Sequence, residues 1–175
     1  AAGKTIIPSP KILEIIQDKG LQKLFFKHHN IPTTDFELAE NPTEWAEKLL
    51  KLKGSKVAAK LRKGGYDGKG VELINKQTVL DAYNKIPFSE PVVLEEFVEN
   101  AIELAVIVAR NEKGEILTFP TVEMEFDPKA NLVEFLFSPA EIDSKIEEKL
   151  SRMQKQADFP DSMKKVFAGM WRQNE

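Results

Sequence analysis

The stretch "AAKLRKGGYDGKGVEL", residues 58–73, places four glycines within seven positions and sets Lys60, Arg62, Lys63 and Lys69 around them. Its flanks alternate in the manner of strands. "KVAAKL" runs into the glycines and "GVELI" runs out of them, so the segment reads as a β-hairpin with a long, glycine-rich tip. A two-residue hairpin turn needs only one or two glycines. The surplus has a chemical use, because glycine lacks the Cβ that keeps a backbone N–H away from an anion and reaches φ values closed to other residues. Lys60 adds to this reading. It sits in an otherwise apolar strand, where a charge requires an anionic partner. The plainer alternative is a tight turn with solvated lysines.

The segment fits neither common phosphate-binding signature. G-x-x-x-x-G-K-[ST] finds no match, and G-x-G-x-x-G fails because Leu73 stands where its last glycine belongs.

Upstream, the first 55 residues read as a helical lead-in. Ser9 caps a helix that has Pro10 at its first position and Ile12, Leu13, Ile15 and Ile16 as its apolar face. Asp18 reads as a second N-cap, with Leu21, Leu24 and Phe25 on one stripe. "NIPTTDFEL" is extended, and Asn41, Pro42 and Glu44 start a third helix that ends near Lys51. Downstream, residues 75–86 read as a helix carrying Val79, Leu80 and Tyr83, followed by the strand "PVVLEEFV". "ELAVIVAR", "EILTFPTVEM" and "NLVEFLF" read as three further strands, the first two joined through "NEKG" with Gly114 at the turn. Residues 140–156 read as a helix with Ile142, Ile146 and Leu150 aligned. The last nineteen residues form an apolar and basic tail around Phe159, Val166, Phe167 and Trp171.

The chain has 175 residues, 25 basic and 28 acidic, for a formal net charge of −3. Such a balance does not point to nucleic acid, so the local cluster of cations is better matched to a small anion. Cysteine is absent, which removes disulfides, thiolate metal sites and a cysteine nucleophile and suits a reducing, cytoplasmic setting. No apolar run approaches the roughly 18 residues of a membrane span, and no leader pattern opens the chain. The adjacent His28 and His29 have no partner at metal-ligand spacing. Phe25, Phe26 and Trp45 read as core. Glu123 and Glu125 lie two apart on one strand face and read as exposed strand carboxylates or, alternatively, as metal ligands.

"KLRKGGYDGKG", followed about 25 residues later by "VVLEEFVENAIELAVIVAR", resembles the ATP-grasp superfamily, and most closely its N5-carboxyaminoimidazole ribonucleotide synthetases. "PSPKILEIIQDKGLQKLFFKHHNIPT", "TFPTVEMEF" and "LFSPAEI" continue the likeness, which runs from Lys4 to Ile142. The resemblance implies an α+β ATP-grasp fragment: a lead-in over 1–55, a small hairpin lobe over 56–98, the start of a larger antiparallel-sheet lobe over 99–156, and an atypical tail over 157–175. It implies that Lys19 and Lys60 reach the phosphates of ATP. Gly65, Tyr66, Asp67, Gly68, Lys69, Gly70 and Val71 would form a loop closing over them, with Lys60, Tyr66 and Asp67 serving the chemistry. Glu95, Glu96, Phe97 and Val98 would read adenine from an extended backbone, and Glu103 would accept the ribose hydroxyls.

The residues themselves also allow plainer roles. Lys19 fits an exposed helix lysine, Glu95 and Glu96 fit strand-end charges, and Glu103 fits half of a surface ion pair.

By the same resemblance, ATP activates bicarbonate as carboxyphosphate, and the amino group of aminoimidazole ribonucleotide takes up the carboxyl group. Magnesium accompanies the nucleotide, but the family's metal ligands fall beyond this sequence, and some relatives carry a histidine where this sequence has Phe126. The sequence therefore reads as a central portion that binds nucleotide without completing turnover. A homodimer is compatible with it, whereas nucleic acid and membrane are not expected partners. A noncatalytic nucleotide-binding module and another ATP-grasp carboxylase or ligase are the alternatives.

Overall fold

The structure, a computed structural model, describes residues 9–65, 69–111, 113, 115–127, 132–156 and 169–174. The chain divides into two compact units, one of Glu14–Phe97 and the other taking in Val98 onward with the start of the chain through Leu13.

Four strands organise the first unit: β1 (Phe36–Ala39), β2 (Lys56–Leu61), β3 (Val71–Asn75) and β4 (Val92–Glu96). They form one antiparallel sheet in the order β1-β4-β2-β3. The hairpin read from the sequence is β2–β3, in register from Lys56↔Asn75 to Lys60↔Val71.

Strand alternation gives this sheet two different faces. On one, Ala39, Val57, Ala59, Val92 and Leu94 pack with Trp45, Leu49, Leu52 and Val79 into a closed apolar core. Trp45 and Leu49 come from α3 (Trp45–Lys51), and Val79 comes from α4 (Lys76–Asp81). The other face carries Ala58 and Lys60 of β2 beside Val93 and Glu95 of β4. A charge in the middle of "VAAKL" follows from this division, since Lys60 alternates away from the core that Val57 and Ala59 enter.

Two helices precede the sheet. Ser9 starts α1 (Pro10–Gln17), its carbonyl accepting from the N–H groups of Ile12 and Leu13, and Ile12 is buried. Asp18 caps α2 (Lys19–His28), its carboxylate accepting from Gly20 N at 2.8 Å and Leu21 N at 3.1 Å. The α2 face differs from the expected stripe. Leu24 is exposed, and Gly20 and Lys23, three apart, are the buried positions.

The helix expected over 75–86 is broken. Asn75 caps α4, which stops at Asp81. Ala82 is extended, and Tyr83–Lys85 form a separate 3-10 turn with Tyr83 exposed. Pro87 accounts for the end of this segment, because the residue before a proline is pushed out of the helical region, and Ile86 is extended.

In the second unit, β5 (Ala101–Val106), β8 (Val122–Phe126), β9 (Val133–Phe137) and β10 (Gly169–Asn174) form a sheet in the order β10-β5-β8-β9. A two-stranded ribbon joins β6 (Val108–Arg110) to β7 (Ile116–Thr118). Two strands read as continuous in the sequence are thus each divided between sheets. Pro120 supplies a reason for one break, because it has no N–H to donate to a ladder. At the same level Phe119 N donates to Ile107 O at 2.9 Å, where the partner strand breaks.

The sheet buries Leu104 and Val106 against Leu150 of α5 (Ser144–Gln156), with Ile102, Ile142 and Ile146 around them. The helix begins four residues later than expected, and Asp143, just before it, accepts from Lys145 N at 2.7 Å. Ile142 therefore packs from the preceding segment rather than from the helix. The tail, read as an apolar and basic mixture with no element assigned, contributes β10 along the edge of β5, with Trp171 opposite Leu104. An open strand edge offers unpaired N–H and C=O groups, so main-chain pairing can capture a segment with little strand propensity. Gly114 of the "NEKG" turn lies outside the described residues.

Candidate functional site

The polar face of the first sheet holds a compact cluster of charges. Glu95 is buried, 8% exposed, and takes two lysines at once. Lys23 Nζ lies 2.8 Å from Oε2 and Lys60 Nζ lies 3.2 Å from Oε1. Thr34 also donates to Oε2 at 3.0 Å. Burial alone would raise the proton affinity of this carboxyl. Lys60 and Lys23 outweigh that effect and hold its pKa below the ordinary range. Lys23 further donates to Thr33 Oγ1 at 2.6 Å and Thr34 Oγ1 at 3.0 Å, and its ammonium stands over the Phe36 ring.

Lys19 joins the group from the first turn of α2. Its pKa is lowered, first by burial and then by the nearby charge of Lys60, with Glu95 and Asp18 offsetting only part of this. Lys23 and Lys60 pair with the Glu95 carboxylate and Lys19 stands within its field, so ammonium groups outnumber the carboxylate they share. A cation whose proton affinity is lowered by burial and by one neighbouring ammonium is stabilised by an anion that arrives beside it.

The glycine loop is anchored beside these lysines. Leu61 N donates to Gly70 O at 2.8 Å, and Arg62 N donates to Pro91 O at 3.0 Å. Arg62 grips Asp18 with two parallel bonds, Nε to Oδ1 at 2.9 Å and NH2 to Oδ2 at 2.8 Å, and reaches Glu40 Oε1 at 2.6 Å. Lys19 N in turn donates to Arg62 O at 3.0 Å. The first turn of α2 and the base of the loop are thereby fixed together. Asp18 is buried, which favours its neutral form. The Arg62 bonds and the backbone N–H groups of Leu21 and Gly20 outweigh this and lower its pKa.

Two glycines are required by geometry here. Gly70 has φ +78°, and a Cβ there would lie 3.0 Å from Leu61 Cδ1 and 3.2 Å from Gly65 Cα. A Cβ on Gly65 would come 2.9 Å from Lys69 O and 3.4 Å from Lys19 Nζ. The loop backbone therefore passes directly against the Lys19 ammonium.

The structure thus brings Lys19, Lys60, Gly65, Gly70 and Glu95 together, and places Val71 opposite Lys60 on β3. Lys69 is exposed at the loop, and Tyr66, Asp67 and Gly68 lie outside the described residues. Beyond Glu95, the Glu96 carboxylate accepts from Lys53 N at 2.5 Å. Glu96 N donates to Asp35 O, and Phe97 N donates to Lys56 O. Among the described residues, no backbone hydrogen bond uses the N–H of Val98. Glu103 sits half-buried on β5 in the second unit, opposite Met124, with Leu104 opposite Glu123. Alternation therefore puts Glu123 and Glu125 on the strand face away from Glu103.

Among the described residues, no three His, Cys, Asp or Glu side chains are grouped to hold a metal ion, and no helix is long and apolar enough to cross a membrane. The lysine cluster, in contrast, fits a polyphosphate.

Sequence reasoning missed Lys23 and the Asp18–Arg62 grip. A signal for Lys23 was present in its spacing, because Lys19 and Lys23 stand at i and i+4 and must share one side of α2. The grip had none, since its two residues are 44 positions apart.

A model of the ATP-grasp domain matches residues 24–159. N5-carboxyaminoimidazole ribonucleotide synthase of Saccharolobus solfataricus is 32% identical over 120 residues, which is 66% of this chain and 31% of that protein. The solved N5-carboxyaminoimidazole ribonucleotide synthetase from Thermotoga maritima is 36% identical with a TM-score of 0.69, over 94% of this chain and 39% of that one. A carboxyaminoimidazole ribonucleotide synthase from Aspergillus clavatus, complexed with ATP, is 26% identical with a TM-score of 0.72, over 86% and 39% of the two chains. This chain spans about a third of the length of that curated relative and about two-fifths of the solved ones. The fold is the ATP-grasp fold, and the chain belongs to the ATP-grasp domain family.

Proposed function

We propose that this chain is the ATP-binding portion of a carboxylating ligase of purine biosynthesis. The observation that carries the reading is the lysine cluster: Lys19, Lys60 and Lys23 around the single carboxylate Glu95, set against a glycine loop. Lys60 and Lys19 bind and orient the phosphates of ATP. The loop from Gly65 to Val71 covers them and keeps water from the labile product of the first step. Tyr66 and Asp67 face the second substrate. The backbone of Glu95–Val98 reads adenine, and the uncommitted N–H of Val98 suits it as the donor. Glu103 accepts from the ribose hydroxyls.

The reaction in this reading is the one that the family resemblance implies. The terminal phosphoryl group passes to a bicarbonate oxygen, giving carboxyphosphate and ADP. The amino group of aminoimidazole ribonucleotide then forms a C–N bond to the carboxyl carbon, phosphate leaves with the C–O bond electrons, and the nitrogen loses a proton. Magnesium enters this reading with the nucleotide rather than through carboxylates of the described residues. A cytoplasmic location and a homodimer belong to the same reading and rest on the resemblance. These 175 residues bind nucleotide but do not complete the reaction alone.

Calorimetric titration of the chain with ATP and magnesium, followed by an assay for bicarbonate-dependent ATP hydrolysis, tests both parts. Saturable ATP binding without hydrolysis is expected. Failure to bind ATP would remove the proposed function, and bicarbonate-dependent hydrolysis would contradict its second part.

A further inference from the structure

We infer that Lys23 is a positioning residue, which holds Glu95 so that Lys60 is free to exchange that carboxylate for an anion. The inference rests on the nucleotide-phosphate reading of the site and extends it to a residue that does not itself reach the ligand.

The two lysines on Glu95 are not equivalent. Lys23 uses its three ammonium protons on three oxygens, those of Thr33, Thr34 and Glu95, and its side chain is 11% exposed. It is locked in place. Lys60 meets Glu95 at the longer distance of 3.2 Å with its side chain 27% exposed, and among the described residues that ion pair is its one charged partner. The geometry therefore separates a permanent counter-ion from a releasable one.

This separation matters when an anion arrives. If Lys60 alone neutralised Glu95, its departure towards a phosphate would strand a buried carboxylate without a counter-charge, directly beside the incoming negative groups. With Lys23 fixed on Oε2 and Thr34 donating to the same atom, Glu95 stays satisfied whichever way Lys60 points. Glu95 is then a resting place for Lys60 in the empty site, and Lys23 is what makes that rest reversible.

The test uses the full chain with Lys23→Met, Lys23→Arg, Lys60→Met, Glu95→Gln and the Lys23→Met/Lys60→Met pair, each checked for folding by circular dichroism. Acylation of Lys60 by an N-hydroxysuccinimide ester, read by mass spectrometry, needs no ligand. Lys23→Met should slow it because Glu95 then holds Lys60 alone, Lys23→Arg should restore it, and Glu95→Gln should accelerate it. With ADP as probe, Lys23→Met should weaken binding about tenfold in the wild-type background and leave it unchanged in Lys60→Met.

Equal losses in both backgrounds would show a merely structural lysine and overturn the inference, as would unchanged Lys60 acylation in Lys23→Met. If Lys23→Met does not fold, Glu95→Gln decides: faster Lys60 acylation supports the inference and an unchanged rate overturns it. A wild-type chain that does not bind ADP sinks the nucleotide reading instead, and the acylation rates still decide the role of Lys23.

Discussion

Lys60 and Glu95 are diagonal neighbours on one face of the β2–β4 pair, with Nζ 3.2 Å from Oε1. Their register places Lys60 opposite Val93 and Glu95 opposite Ala58. Two short neighbours thus leave room for two long polar side chains to meet over the sheet. The pair answers the question raised by a lysine in an apolar strand. Its anionic partner is supplied from within the protein, and the site stays cationic because two further lysines stand by.

Replacing Glu95 with glutamine leaves Lys23 buried without its carboxylate. The folded state should lose about 3 kcal/mol, measured as a lower urea midpoint with an unchanged slope. Wild-type stability in this variant would mean that Lys23 finds its compensation elsewhere.

The charges also fix the pH dependence. Glu95 and Asp18 have lowered pKa values in the folded protein, so the unfolded chain takes up protons first on acidification. Their contribution is fully present above the ordinary carboxylate range and is lost as pH falls through the lowered folded values. Urea midpoints should therefore fall steadily below about pH 5, and less steeply in Glu95→Gln than in the wild type. A flat profile down to pH 3 would contradict the two assignments.

Gly70 and Gly54 form a matched pair. Both have positive φ, +78° and +68°, but a Cβ at Gly54 meets nothing within 4 Å, whereas one at Gly70 presses on Leu61 and Gly65. Each alanine substitution carries the left-handed cost of about 1–2 kcal/mol. Gly70→Ala should cost more than Gly54→Ala in thermal denaturation, and it alone should weaken nucleotide binding.

Asp18 serves two structures at once. Its carboxylate caps α2 and takes the fork of Arg62, so Asp18→Ala removes a cap and leaves the partly buried guanidinium with Glu40 alone. A loss of about 2 kcal/mol is expected, together with faster amide exchange at Lys19 and Leu61, whose N–H groups donate at the base of the loop. Unchanged exchange at these positions would show that the loop base is held by other contacts.

Much of this was legible in the sequence because it is local. The hairpin, the Asp18 cap and the burial of Trp45 follow from alternation, capping chemistry and size. Lys60 was marked by being the wrong kind of residue for its strand. What was not legible depends on distance. The i, i+4 spacing puts Lys23 on the Lys19 side of α2, but its burial comes from a partner 72 positions away on β4. Leu24 faces outward because the buried side of the helix is given to this ionic cluster instead of to apolar packing. The division of the later strands was half visible, since Pro120 interrupts one of them while the partner strand carries no breaking residue at Ile107. The β10 pairing was hidden because it is made by the main chain, which composition does not reveal.

Calorimetric comparison of the wild-type chain and Lys60→Ala, each titrated with ATP and magnesium, bears most directly on the central claim that this lysine cluster binds the phosphates. Loss of one charge-assisted contact should weaken binding by about 1.5–3 kcal/mol, roughly a tenfold to hundredfold rise in Kd. The same affinity in both proteins would contradict the claim.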